Sequence, residues 1–188
     1  KENIDGHEID RTGVIPARVL QGLAELGLFG IKIPKEYGGL GLSQTNYMRV
    51  LAAVGGYCGS TAALLSAHQS IGLPQPLKLV GSPEQKKKYL PKIAAGAVSA
   101  FALTEPSVGS DPANMATYAE PSEDGSHWIL NGTKLWCTNG VIADYYVVMA
   151  RSPSKVVKGK EKKQITAFIV DGRAEGVEVL HRSEFMGL

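Results

Sequence analysis

The stretch Phe101-Ala102-Leu103-Thr104-Glu105-Pro106-Ser107-Val108-Gly109-Ser110-Asp111 decides how the rest of the chain is read. Phe101 to Thr104 combines apolar, aromatic and hydroxyl residues in the way that favours a strand. Pro106 ends the ladder, because it has no N–H to give. Gly109 lets the backbone take a positive φ or approach a ligand closely. Thr104, Ser107 and Ser110 place three hydroxyls within seven residues, next to backbone N–H groups that a turn leaves free. Such a turn can cradle a polar, anionic ligand such as a pyrophosphate. Taken alone, the stretch is more simply a strand followed by a polar turn.

Upstream of this stretch the hydrophobic spacing is helical. The first ten residues are polar and give no firm signal. Pro16 suits the first turn of a helix, with Val19, Leu20, Leu23, Ala24 and Leu26 at helical spacing and Gly27 as a stop. Leu28 to Ile33 is a short apolar run, and residues 34–41 form a turn-rich loop. Ser43 is a good N-cap for a helix carrying Tyr47, Val50, Leu51 and Val54. Ser60 or Thr61 would cap the next helix, which runs to about Gln69. A short helix follows from Leu77 to Val80, and Ser82-Pro83-Glu84-Gln85 reads as a capping box that opens the last helix.

After Gly96 the pattern becomes that of strands: Val98 to Thr104, Met115 to Ala119, Trp128 to Thr138, Tyr145 to Arg151, Ile165 to Val170 and Gly176 to Leu180. Asn131-Gly132 is the strongest short hairpin signal, with residues 128–130 and 134–136 as its arms. A helical half followed by a strand half predicts an α+β fold, with a helical domain over residues 1–96 and a β-domain over 97–188.

Composition narrows the function classes. The chain has 188 residues, 44% hydrophobic and 20% charged, which is ordinary for a globular protein. A net charge of +2 gives no sign of a nucleic-acid or membrane partner. Lys155, Lys158, Lys160, Lys162 and Lys163 cluster, but Gly159 and Glu161 interrupt them, and they read as a solvated loop. Cys58 and Cys137 have no metal-ligand spacing, and no metal site is expected. They suit a reducing compartment. No apolar run reaches membrane-spanning length and no signal-peptide pattern is present. The chain stops inside an apolar segment, Phe185-Met186-Gly187-Leu188, which predicts a fragment.

Thr104-Glu105-Pro106, two further residues, then Gly109-Ser110-Asp111 resembles the signature of the acyl-CoA dehydrogenase flavoprotein family. Residues 131–140, Asn-Gly-Thr-Lys-Leu-Trp-Cys-Thr-Asn-Gly, resemble that family's second segment, N-G-x-K-x-W-x-[TS]-N-G. The resemblance runs from about Ala17 to the last residue and includes the turn 37–41 and the helix 84–91. It implies a helical domain, then a central β-barrel left incomplete here, then a C-terminal helical bundle that this chain lacks. By the same resemblance, Phe101, Leu103, Thr104, Gly109, Ser110, Trp136 and Thr138 contact FAD, and Ser110 also touches the CoA part of the substrate. The residue types suit a flavin. Trp136 offers an aromatic face, Thr138 would share that face if both lie on a strand, and Thr104 could serve the opposite edge.

The implied reaction is α,β-dehydrogenation of an acyl-CoA thioester, with electrons passed on to an electron-transfer flavoprotein and the enzyme working as a homodimer or tetramer. The family's base is a glutamate of the C-terminal domain, and no residue here matches it. Two substitutes are tempting. Glu105 precedes a proline in a turn, where the family uses its glutamate structurally, and His68 is a lone histidine on a helix. Residues 67–72, Ala-His-Gln-Ser-Ile-Gly, resemble the very-long-chain branch. Ala63 and Ala67 stand four apart on one helix face, which would deepen the cleft for a long acyl chain. Two alternatives stay open: a non-catalytic flavin- and acyl-CoA-binding scaffold or assembly factor on the same fold, and an oxidase relative that passes electrons to oxygen.

Overall fold

The computed structural model describes residues 3–185; Met186 to Leu188, the end of the apolar segment noted above, lie outside the described residues. Six helices come first: α1 (Gly6–Thr12), α2 (Ala17–Glu25), α3 (Gln44–Gly55), α4 (Gly59–Ser70), α5 (Pro74–Val80) and α6 (Pro83–Ala94). Five strands follow: β1 (Ser99–Ala102), β2 (Tyr118–Pro121), β3 (Trp128–Asn131), β4 (Tyr145–Val157) and β5 (Lys160–Asp171). The architecture is α+β, with a curled half-barrel sheet that stays open among the described residues.

Local chemistry explains most helix ends. Ser43 accepts the Asn46 N–H at the start of α3. At α6, Ser82 Oγ accepts from the Gln85 N–H while Gln85 Oε1 accepts from the Ser82 N–H, a reciprocal cap. Three helices depart from the sequence expectation; α5 opens at Pro74 and not at Leu77, because a proline in the first turn needs no N–H partner. The first ten residues do carry a signal, since Asp5 accepts from the His7 and Glu8 N–H groups and caps α1. α4 begins earlier than Ser60, because the Cys58 sulfur takes the Thr61 N–H at 3.5 Å.

Strand β4 organises the sheet. β1 pairs with its first residues in parallel, Ser99 opposite Tyr145, and β5 pairs with it in antiparallel from Tyr145 to Val157 with a register shift between Ser152 and Lys155. β2 joins it in parallel at Arg151 and forms an antiparallel hairpin with β3. The expected hairpin at Asn131-Gly132 does not form. The hairpin turn lies instead at Ser122–Gly125, where the Gly125 N–H donates to Ser122 O at 2.9 Å. Gly132 serves a close approach, because a Cβ there would lie 2.3 Å from Thr117 Oγ1. The lysine-rich stretch is not a loop. It forms the paired ends of β4 and β5, turning at Lys158-Gly159 with both residues at positive φ, although its lysines are exposed as expected. Residues 115–117 are not a strand, since a side chain takes the Ala116 and Thr117 N–H groups. Residues 176–180 pair with no strand, and Val177 N–H closes a turn on Ala174 O.

Two apolar cores hold the halves. Val19, Leu23, Phe29, Leu64, Leu65 and Val98 form one within the helices. The other joins helices to sheet: Leu73, Leu77, Leu90 and Ile93 pack with Val147, and Phe101, Tyr145 and Ile169 close over them. Each fully buried Leu or Ile contributes about 1.5–3 kcal/mol. The sheet is therefore seated on α5 and α6, and β1 carries the stretch 101–111 out from under them.

Candidate functional site

The chain leaves β1 and turns at once. Glu105 N–H donates to Val108 O at 2.9 Å, and Val108 N–H returns to Glu105 O at 3.1 Å. This tight loop turns Ser107, Gly109 and Ser110 outward, all exposed, while Glu105 goes inward. A Cβ at Gly109 would meet nothing within 4 Å, so the space over the loop is open. The Glu105 carboxylate accepts from Ala116 N–H at 2.5 Å, Thr117 N–H at 2.9 Å and Lys134 Nζ at 2.8 Å. Burial alone would push this carboxyl up; the donors on Lys134, Thr117 and Ala116 outweigh it and hold the group at about 2.

The second segment lies against the first, running the other way. Leu135 N–H donates to Thr104 O at 2.8 Å and Lys134 Nζ to Leu103 O at 3.0 Å. Cys137 Sγ donates to Phe101 O at 3.4 Å, and Asn139 Nδ2 to Ser99 O at 3.3 Å. Three of these four donors are side chains, so the pairing is not a ladder and residues 132–139 are not a strand. The expectation that a strand puts Trp136 and Thr138 on one face is therefore corrected. Trp136 sits at φ +56, Asn139 at φ +70, and Thr138 N–H bends back to Trp136 O at 3.1 Å. Thr138 is exposed. Trp136 is 63% exposed, and its ring meets Phe185 with centroids 5.7 Å apart. A large aromatic face is thus held in an unfavourable backbone conformation and turned out of the core.

Phe101, Leu103 and Thr104 are half-buried beneath this segment, so the two signature stretches meet as one patch with Gly109 and Ser110 at its rim. Ala63 and Ala67 are half-buried on α4. The same helix reaches the patch, because Leu64 O accepts from Asn139 Nδ2 at 3.1 Å.

His68 is fully buried on α4. Its Nδ1 accepts the Ser99 N–H at 3.0 Å, which puts the ring proton on Nε2, and Nε2 donates to Phe29 O at 3.0 Å. Burial pushes the imidazole down to about 4, so the ring is neutral at ordinary pH. It is a structural tie between α4, β1 and the segment after α2. Burial also pushes the Cys137 thiol up, to about 11, which leaves it protonated. The sequence reading missed the ties made by Lys134 and Asn139. Asn before Gly is a signal for positive φ, but it names no partner.

Among the described residues no group of three or more His, Cys, Asp or Glu could hold a metal ion, and no helix is long and apolar enough to cross a membrane.

Comparison with known proteins places the chain. The N-terminal domain of acyl-CoA dehydrogenase matches residues 2–97, and the middle domain matches residues 100–188. The chain belongs to the acyl-CoA dehydrogenase family. It is 55% identical over 187 residues to the probable acyl-CoA dehydrogenase FadE10 of Mycobacterium tuberculosis, covering 100% of this chain and 28% of that protein. It is 48% identical over 160 residues to the rat mitochondrial very long-chain specific acyl-CoA dehydrogenase, covering 84% of this chain and 24% of that protein. Among solved structures, an acyl-CoA dehydrogenase complexed with FAD from Bacillus anthracis superposes with a TM-score of 0.76 at 39% identity, over 90% of this chain and 27% of that one. The chain thus spans about a quarter of these relatives.

Proposed function

We infer that the chain forms the helical and β parts of an FAD-dependent acyl-CoA dehydrogenase that acts on long-chain thioesters. Residues 1–96 form one wall of the acyl cleft, and residues 97–188 hold the flavin. One observation carries this reading: two signature stretches, residues 101–111 and 131–140, are bonded side by side and leave Trp136 outward at φ +56.

The patch fits a flavin. A flat ring system needs an aromatic face, and Trp136 exposes one. It also needs room for a close backbone approach, and a Cβ at Gly109 would meet no atom within 4 Å. Thr104, Ser110 and Thr138 add hydroxyls around these, with Phe101 and Leu103 as the apolar floor. When bound, FAD supplies the two-electron acceptor for C–H cleavage. The chain's own residues bind and orient. Ser110 lies on the exposed rim, where a CoA chain would enter.

The buried carboxylate of the signature, Glu105, is not free to take a proton. Glu105 has three donors on its oxygens, so the base belongs to another part of the full-length protein. Electrons pass on to an electron-transfer flavoprotein, and the working unit is a homodimer or tetramer. Support for long chains comes from the likeness to very long-chain specific relatives and from Ala63 and Ala67, whose small side chains leave depth along α4. Each additional buried CH₂ of the substrate would then contribute up to about 0.8 kcal/mol.

The test uses the full-length protein, followed by anaerobic bleaching of the flavin band with acyl-CoA of increasing length. Turnover should rise towards palmitoyl-CoA. Turnover of butyryl-CoA with none of palmitoyl-CoA would overturn the chain-length reading, and a colourless protein would overturn the flavin reading.

A further inference from the structure

We propose that Asn139 is the positioning residue that sets the flavin-contacting segment against the acyl-cleft helix, so that it controls alignment of the two reacting partners. The proposal rests on the reading of the patch given above.

The observations are geometric. Asn139 sits at φ +70, a conformation that asparagine tolerates and most residues resist. That backbone turn lets one side-chain amide reach two elements at once. Nδ2 donates to Leu64 O, inside α4, at 3.1 Å and to Ser99 O, the first residue of β1, at 3.3 Å. Leu64 lies between Ala63 and Ala67 in sequence, on the helix expected to line the cleft. Trp136 and Thr138 lie three and one residues before Asn139.

Ser99 is held from its other side as well, since its N–H donates to His68 Nδ1, also on α4. The helix and β1 are therefore joined independently of Asn139. What Asn139 adds is the third body, the segment 136–138. Its other ties, from Lys134, Leu135 and Cys137, go to residues 101–105 and, through Lys134, to Met115, none of them on α4. Among the described residues, the Asn139 side chain supplies the hydrogen bond from this segment to the helix.

A bond of this kind matters more for alignment than for stability. It is half-buried, and α4 is already seated by its core residues Leu64 and Leu65. Yet the α-proton, the β-hydrogen and the flavin must be aligned closely, and a shift of about 1 Å can cost about a hundredfold in rate. Loss of the amide should therefore lower kcat, leave KM for acyl-CoA nearly unchanged, and alter the signal of the bound flavin.

Two variants of the full-length protein test this. Asn139→Gly keeps the backbone turn and removes both donors. Asn139→Asp keeps size and turn but sets a carboxylate against two carbonyl oxygens. Both are loaded with FAD, and turnover is normalised to bound flavin. The expected result is a kcat at least about tenfold lower per bound flavin, KM within about twofold, and a changed visible circular dichroism band, with Asn139→Asp the more affected. Unchanged kcat per bound flavin and an unchanged band, whatever the loss in Tm, would overturn the positioning role. If neither variant folds, Asn139 is a folding determinant and the proposal is rejected. If the wild-type protein itself holds no FAD, the reading of the patch fails and the proposal with it; FAD held by the wild type while the variants behave normally sinks the proposal alone.

Discussion

Glu105 and Trp136 belong to signature stretches bonded to each other, yet they sit in opposite states. Glu105 is buried, ionised and met by donors from Lys134, Ala116 and Thr117. Trp136 is exposed and held at a costly φ, with its carbonyl taking the Thr138 N–H and its ring touching Phe185. The first has every polar atom accounted for inside the fold, which is the mark of an anchor. The second carries a backbone cost at a side chain that the core does not hold, which is the mark of a surface waiting for a ligand. A shared motif therefore mixes residues that hold the site with residues that face it, and hydrogen-bond accounting separates them.

The comparison breaks most completely if Glu105 turns out to do chemistry. Residues 1–188 alone, supplied with FAD and palmitoyl-CoA without oxygen, should leave the flavin band unbleached. The Glu105 carboxylate is held at about 2 and surrounded by donors, so it has neither the basicity nor the freedom to take an α-proton. Bleaching at a rate like that of the full-length protein would show that a base lies in this segment, with Glu105 the first suspect.

Removing the anchor should be the most destabilising single change at the site. Glu105→Ala leaves the Lys134 ammonium buried without its partner and frees two backbone N–H groups. The expected loss is about 3–5 kcal/mol in denaturant unfolding. Restoring charge balance with Glu105→Ala/Lys134→Met should recover much of it. A loss under about 1 kcal/mol would mean the pair is a surface pair in practice.

Acid separates the anchor from the other buried tie. His68 is lowered to about 4 from an ordinary 6.5, so the unfolded chain binds its proton first as pH falls. Its contribution is fully present above pH 6.5 and is lost on going down to 4, a total of about 3 kcal/mol. Glu105 is lowered to about 2 from 4.5, so its contribution is present above 4.5 and lost as pH falls to 2. Stability against pH should then fall in two steps. In His68→Gln the upper step should vanish and the lower one remain; an upper step that persists would assign it to another group.

Much of this was legible in advance, for reasons that differ by residue. Ser43 and Ser82 cap their helices through bonds that span three residues, so local sequence contains the whole interaction. The two signature stretches could be matched to a family and so to a ligand. Asn131-Gly132 misled because its hairpin signal is local, whereas the need for glycine there comes from Thr117, fifteen residues away in the chain. The family resemblance puts Trp136 and Thr138 at the flavin, but the expectation that they share one face rests on a strand, and the backbone between them turns instead. Asn139 was invisible in its role, since its partners Leu64 and Ser99 are 75 and 40 residues distant.

The smallest effect is also the sharpest test of the comparison, because the two readouts should move in opposite directions. Trp136 is 63% exposed, so its side chain contributes little to the fold, and Trp136→Ala should change stability by no more than about 0.5 kcal/mol. Its φ of +56 costs a non-glycine residue about 1–2 kcal/mol. Trp136→Gly should relieve part of that strain, although the added freedom of the unfolded chain offsets some of the gain. The glycine variant is thus expected to be about as stable as the parent or slightly more so, by up to about 1 kcal/mol. Flavin retention should fall in both variants. Losing one aromatic contact of about 0.5–1.5 kcal/mol corresponds to a several-fold to about tenfold weaker hold on FAD. Thermal unfolding of the apoprotein and equilibrium dialysis of FAD measure the two quantities separately. A variant that loses stability while keeping FAD would invert the assignment: Trp136 would then be a packing residue, and the backbone cost at that position would be supported by the fold and not by a ligand.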